Sequence, residues 1–144
     1  MRGQKRLIVI GGKAAGMSAA IAARRVQPDM ETVVVERDAY ISYESCSLPY
    51  YISDDIKDVN DLVSLTPESA QRELGMHVLT RHESLAIDPT SKKVLVRNLL
   101  SGEETNIPYH KLVLATGALP IRSSMPGSDL RNIFTSEHCL MAWQ

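Results

Sequence analysis

The chain has 144 residues, enough for one domain with a sizeable core. Its 16 basic and 17 acidic residues leave a net charge of -1, which gives no electrostatic case for nucleic acid or an anionic membrane. Two cysteines, at 46 and 139, cannot form the disulfide framework of a secreted module, and they fit a reducing, cytoplasmic setting. No run approaches the ~18 apolar residues of a membrane span. Residues 1–22 have the outline of a secretory leader, but Lys13, the glycines and Arg24-Arg25 break it. A strand and helix of the mature fold is the better reading.

Along the chain, Arg6-Leu7-Ile8-Val9-Ile10 is a short β-branched run of the kind buried on both faces of a parallel sheet. Gly11-Gly12-Lys13-Ala14-Ala15-Gly16 turns the chain, residues 14–26 are Ala-rich and helical, and Pro28 stops the helix. Residues 31–36 are a second strand, so a β-turn-α-β unit of about 30 residues opens the chain, the size of a mononucleotide-binding half. Residues 37–65 read as loop with short helical pieces. Thr66-Pro67-Glu68 starts a helix with an N-cap, a first-position proline and a first-turn acid, and Gly75 ends it. Residues 76–87 read as extended chain and 88–91 as a turn. Residues 93–100 and 103–109 read as a hairpin around Ser101-Gly102, and 111–115 as another buried strand. The tail from Leu119 shows no strong periodicity. The expected class is α/β: a Rossmann-like parallel sheet flanked by helices, with an inserted antiparallel hairpin or meander.

Four features carry chemistry. Gly11 and Gly16 fill the first and third positions of G-x-G-x-x-G, and Lys13 stands at the middle one. The strand–turn–helix setting still offers a phosphate a helix N-terminus. Glu36, at the end of the second strand, reads as an acceptor for ribose hydroxyls or as an exposed strand-end acid. Cys46 reads either as a thiol activated by a helix that Pro49 starts, or as a buried small hydrophobe. Ala115-Thr116-Gly117 ends a strand in small residues that let backbone pass close to a ligand. Cys139 reads as inert, and the histidines at 77, 82, 110 and 138 have no metal-ligand spacing, so no metal site is expected. Arg24 and Arg25 read as partners of their own helix dipole, in preference to the competing reading as partners of a ligand phosphate.

The runs Val9-Ile10-Gly11-Gly12-Lys13-Ala14-Ala15-Gly16, Val35-Glu36-Arg37, Ser42-Tyr43-Glu44-Ser45-Cys46-Ser47-Leu48-Pro49-Tyr50 and Leu114-Ala115-Thr116-Gly117 resemble the pyridine nucleotide–disulfide oxidoreductases. The similarity is greatest to the single-cysteine branch of coenzyme A-disulfide reductases and NADH-dependent persulfide reductases. The resemblance implies FAD. It puts the pyrophosphate on the turn formed by Gly11, Gly12, Ala14, Ala15 and Gly16, and the ribose on Glu36. Arg37, Ser42, Ala115, Thr116 and Gly117 would also line the cofactor, and Cys46 would lie beside the isoalloxazine as the redox thiol. NAD(P)H is the implied reductant, a small-molecule disulfide or persulfide the substrate, and a homodimer the implied assembly. Two-cysteine members carry C-x4-C, and the second position here is Tyr51, which excludes an internal redox disulfide. Related oxidases and peroxidases place a histidine where this chain has Ala14, and the reductases often carry Asn where it has Ser45.

The expected organisation is the N-terminal part of an FAD-binding domain over residues 1–118, then a tail, 119–144, leading to an NAD(P)H-binding domain that is absent. The alternatives are an NADH oxidase cycling Cys46 through sulfenic acid, and a truncated nucleotide-binding module without catalysis.

Overall fold

The computed structural model describes residues 5–119, 121, 124–131 and 133. Cys139, His138 and nearly all of the tail beyond Leu130 lie outside the described residues. The chain divides into two compact units, one of residues 1–43 with 65–116 and one of residues 44–64 with 117–144.

The first unit is built on a parallel sheet. Its β1 (Arg6–Ile10) pairs with β2 (Glu31–Val35) and, on its other side, with a strand from the far end of the unit, Lys111–Leu114. His77–Leu79 adds a fourth parallel strand on the outer side of β2. Leu7, Val9 and Val34 point to one face, and Ile8, Ile10, Val33 and Val35 to the other. Burying both sets requires a cover on each face, which is why these strands read as continuous apolar runs.

The helix α1 (Ala14–Val26) covers the first face with Met17 and Ala20. A later helix, Pro67–Leu74, adds Ala70 to the same cluster. The other face is covered by an antiparallel sheet of His82–Asp88, Lys93–Asn98 and Glu104–Pro108, whose Val94 and Val96 meet Ile8, Ile10, Val33 and Val35. The expectation of helices flanking the sheet therefore holds on one face, and the inserted antiparallel strands take the second. In chain order the strands after β2 are β3 (His77–Leu79), β4 (His82–Asp88), β5 (Lys93–Asn98), β6 (Glu104–Pro108) and β7 (Lys111–Leu114), with sheet orders β3-β2-β1-β7 and β4-β5-β6.

Three expectations shift in detail. The extended stretch 76–87 is two strands in two sheets. Arg81 takes a left-handed conformation (φ 56°), and the chain leaves the parallel sheet there. The hairpin strands are shorter than expected because the Asn98 side chain accepts the N–H groups of Leu100 (2.8 Å) and Ser101 (3.2 Å), folding Leu99 and Leu100 into the turn. Arg24 does not simply end its own helix. Its guanidinium donates to the carbonyls of Leu74 (2.9 Å), Met30 (3.1 Å) and Pro28, so it caps the end of the helix Pro67–Leu74 and fixes the loop before β2.

The helix α3 (Pro67–Leu74), which follows the short α2 (Leu48–Ile52), has the start and stop expected of it. Thr66 Oγ1 accepts the Ser69 N–H at 3.2 Å and Ser69 Oγ accepts the Thr66 N–H at 2.9 Å, so Ser69 completes the capping box. Gly75 closes the helix at φ +60°. Replacing Thr66 by Ala removes the Oγ1 that accepts the Ser69 N–H and leaves the reciprocal bond from the residue-66 N–H to Ser69 Oγ in place. Chemical denaturation of the whole protein should show a loss of about 1 kcal/mol. A midpoint identical to wild type would mean that the cap is compensated by water.

Candidate functional site

The turn between β1 and α1 leaves no room for side chains at its glycines. Gly11 has φ +103°, and a Cβ placed there would come within 2.1 Å of the Ala115 carbonyl oxygen. At Gly16 a Cβ would meet the Gly11 carbonyl oxygen at 1.8 Å. Backbone therefore stacks on backbone, from the end of β7 through the turn to the first turn of α1. Gly12 is enclosed differently: a Cβ there would lie 2.7 Å from Ile41 Cγ2 and 3.0 Å from Glu36 Cβ. The Gly11 N–H donates to Val35 and the Ala115 N–H to Ile10, both at 2.8 Å, so the turn is tied to the strand ends on either side.

The N-terminus of α1 is open. Lys13 stands at the cap with extended backbone, no side chain caps the helix, and no acid occupies its first turn. Ala14 and Ala15 are exposed. Free N–H groups and the helix dipole make this a favourable place for an anion, and the alanines do not obstruct it. Lys13, where the motif has its middle glycine, is engaged by the protein itself. Its Nζ lies 3.3 Å from Asp38 Oδ2 and 5.0 Å from the centroid of the Tyr43 ring. Burial pushes the Lys13 pKa down, but the Tyr43 hydroxyl and then Asp38 outweigh it and hold the ammonium above the usual lysine value.

Glu36 is not an exposed strand-end acid. It is only 6% exposed, and β2 ends one residue before it. Oε2 accepts the Gly12 N–H at 2.6 Å, and Oε1 accepts the Asp38 N–H at 2.8 Å. A carboxylate offers about four lone-pair sites, so one acceptor direction on each oxygen remains for ligand hydroxyls. Arg37 is exposed. Ser42 adopts φ 46°, and its N–H donates to the Gly12 carbonyl at 2.9 Å, which brings it onto the glycine turn. Gly11, Gly12, Gly16, Glu36, Ser42 and Ala115 thus form one constellation, with Thr116 next to it.

Cys46 and Gly117 belong to the second unit. Cys46 is exposed, so the buried-hydrophobe reading of it falls. It lies inside a single 3-10 turn, Ser45–Ser47, and α2 begins at Leu48 with Pro49 in its first turn. The expected helix is present, but it has only five residues, which limits the dipole it can direct at the sulfur. The Glu44 N–H donates to the Leu62 carbonyl at 2.9 Å, and Ser47 donates its N–H to the Glu44 carbonyl at 3.0 Å and its hydroxyl to the Glu44 carboxylate at 3.1 Å. Those bonds fix the backbone on both sides of the thiol. Gly117 has φ +71° and open surroundings. Among the described residues, no cluster of His, Cys, Asp or Glu is placed to hold a metal ion, and no helix is long and apolar enough to cross a membrane.

Sequence reasoning did not single out Ile41, Asp38 or the ring of Tyr43 as parts of the turn. Ile41 and Tyr43 are buried and apolar, and they carried no motif. Asp38 had one available signal: it follows the strand-end acid by two residues, where its N–H can bond back to that carboxylate.

Comparison with known proteins bears on the family and the fold. Residues 5–141 match the family described as Pyridine nucleotide-disulphide oxidoreductase. An NADH oxidase of Methanocaldococcus jannaschii is 36% identical over 129 residues, covering 90% of this chain and 29% of that protein. A coenzyme A disulfide reductase of Staphylococcus haemolyticus is 32% identical over 131 residues, covering 91% of this chain and 29% of that protein. The structure of a NAD-dependent persulfide reductase from A. fulgidus superposes with a TM-score of 0.82 at 30% identity, covering 96% of this chain and 27% of that one. The chain thus spans under a third of the length of these relatives. With its α/β fold and glycine turn, it belongs to the pyridine nucleotide–disulphide oxidoreductase family.

Proposed function

We propose that residues 1–144 form the FAD-binding part of an NAD(P)H-dependent flavoprotein. It reduces a small-molecule disulfide or persulfide, of the coenzyme A disulfide kind, through Cys46. The observation that carries this reading is the cradle itself. The turn has no space for a Cβ at Gly11 or Gly16, the helix N-terminus beyond it is open, and Glu36 keeps two acceptor directions beside Gly12. A dinucleotide pyrophosphate fits the first two features and a ribose diol fits the third.

The turn residues Gly11, Gly12, Ala14, Ala15 and Gly16 would hold the phosphates through backbone N–H groups. Glu36 would accept the ribose hydroxyls, with Arg37, Ser42, Ala115, Thr116 and Gly117 around the cofactor. The exposed Cys46 thiolate attacks one sulfur of a disulfide RSSR. A Cys46–S–S–R bond forms, the substrate S–S bond breaks, and RS⁻ leaves to take a proton from water. FAD, when bound, would supply the two electrons, drawn from NAD(P)H, needed to cleave this mixed disulfide to the Cys46 thiolate and a second RS⁻, which takes a proton from water. Tyr51 holds the place of a second thiol, so the partner sulfur must come from the substrate. The NAD(P)H site is assigned to sequence outside residues 1–144, and the working form to a cytoplasmic homodimer.

A second reading is favoured by the 36% identity to an NADH oxidase. Cys46 would then cycle between thiolate and sulfenic acid while O2 is reduced. Oxygen uptake measured with and without a thiol–disulfide substrate separates the two. A non-catalytic nucleotide-binding module would bind nucleotide and show neither activity.

The experiments follow from these roles. Cys46→Ser in the whole protein should abolish disulfide reduction while leaving flavin absorbance in place after gel filtration. Full reductase activity in that variant would remove Cys46 from the mechanism. Glu36→Ala should weaken FAD binding by about 1–3 kcal/mol in a titration, because polar ligand groups lose their acceptors. The same change strips acceptors from the Gly12 and Asp38 N–H groups, so the cofactor-free protein should also melt earlier; unaltered FAD affinity would leave Glu36 a purely structural acid.

Among the described residues β7 is an edge strand, bonded on one side to β1 and carrying Leu114 at 63% exposure. Such edges associate. Analytical ultracentrifugation of residues 1–144 expressed alone should show self-association, with weak FAD binding and no NAD(P)H-dependent disulfide reduction. A monomer that turns over would identify residues 1–144 as a minimal enzyme.

A further inference from the structure

We propose that Lys13 is a positioning residue whose ammonium latches residues 38–43 onto the glycine turn, and that it serves Asp38 and Tyr43 instead of a cofactor phosphate. The motif's middle glycine has no side chain with which to do this. The proposal deepens the flavin reading, and its binding arm rests on that reading.

The latched segment needs holding. Ser42 has φ 46°, a left-handed conformation that a residue with a Cβ keeps only where its surroundings enforce it. Its N–H reaches the Gly12 carbonyl at 2.9 Å, and Ile41 Cγ2 closes over Gly12. Before this stretch, Asp38 is fixed by its N–H to Glu36 Oε1 at 2.8 Å and by its carbonyl, which accepts the Arg81 N–H at 3.0 Å. After it, Tyr43 is only 8% exposed. Lys13 bridges the two ends, with Nζ 3.3 Å from Asp38 Oδ2 and 5.0 Å from the Tyr43 ring centroid. The lysine is the cap residue of α1, so the same residue sets the helix start and clamps the loop over it. The raised Lys13 pKa agrees with a cation held by these two partners.

Amide hydrogen exchange of the cofactor-free whole protein, with FAD titration alongside, tests the latch. Lys13→Met keeps the aliphatic stem and loses the charge, and Asp38→Asn removes the opposite partner. Each should speed exchange across residues 38–43 about fivefold, the scale of a partly exposed ion pair with a cation–π contact. Lys13→Arg should stay near wild type, and the double variant should exchange no faster than either single one. In the titration, Lys13→Met and Asp38→Asn should weaken FAD binding by similar factors. Unchanged exchange in Lys13→Met would overturn the latch. So would a Lys13→Met variant that binds FAD weakly beside an Asp38→Asn variant that binds it as well as or better than wild type, since the lysine would then be serving a phosphate. A wild-type protein that takes up no FAD would sink the flavin reading alone, because the exchange measurement needs no cofactor.

Discussion

The buried carboxylate of Glu36 is the constraint on which the site depends. A charge that is 6% exposed is costly unless donors surround it, and here the donors are backbone N–H groups from both sides of the crossover: Gly12 at 2.6 Å and Asp38 at 2.8 Å. Satisfying the acid forces the glycine turn against the end of β2. That closeness is why Gly12 can carry no side chain, and why Ile41 and Ser42 can close over it. The same group is thus a structural pin between the glycine turn and the end of β2.

The double cover of the parallel sheet adds rigidity to this pin. Helices take the face of Leu7, Val9 and Val34, and β5 takes the face of Ile8, Ile10, Val33 and Val35. With both faces filled, the strand ends that bear Gly11, Glu36 and Ala115 keep a fixed register. Cys46 is held by different means, through Glu44, Leu62 and Ser47. Its thiol is free and exposed.

The sequence was most legible where local physics decides the outcome. The β1–α1–β2 unit, the α3 cap at Thr66 and the stop at Gly75 follow from apolar runs, capping chemistry and left-handed glycine, and the structure has each of them. It was less legible where partners are distant in the chain. Residues 76–87 form a single extended run in the sequence, and only the positions of β2 and β5 split that run between two sheets. Arg24 reads locally as a helix-end base, and its partner Leu74 is visible only after folding. Ile41 and Tyr43 look like ordinary apolar loop residues until the glycine turn is brought beneath them. The burial of Glu36 could not be inferred from its position, because burial depends on what packs above it.

The contact between Gly11 and Ala115 has a consequence for the order of events in the cell. The turn leaves the ribosome before the backbone that closes it, which lies at the end of β7, with the whole antiparallel insertion synthesised in between. The β1–α1–β2 unit has local contacts and can form early. The pairing of β1 with β7 carries the loop-closure entropy of that long excursion and forms late. A nascent chain therefore passes through an interval in which Glu36 already grips Gly12 while one wall of the cradle is missing.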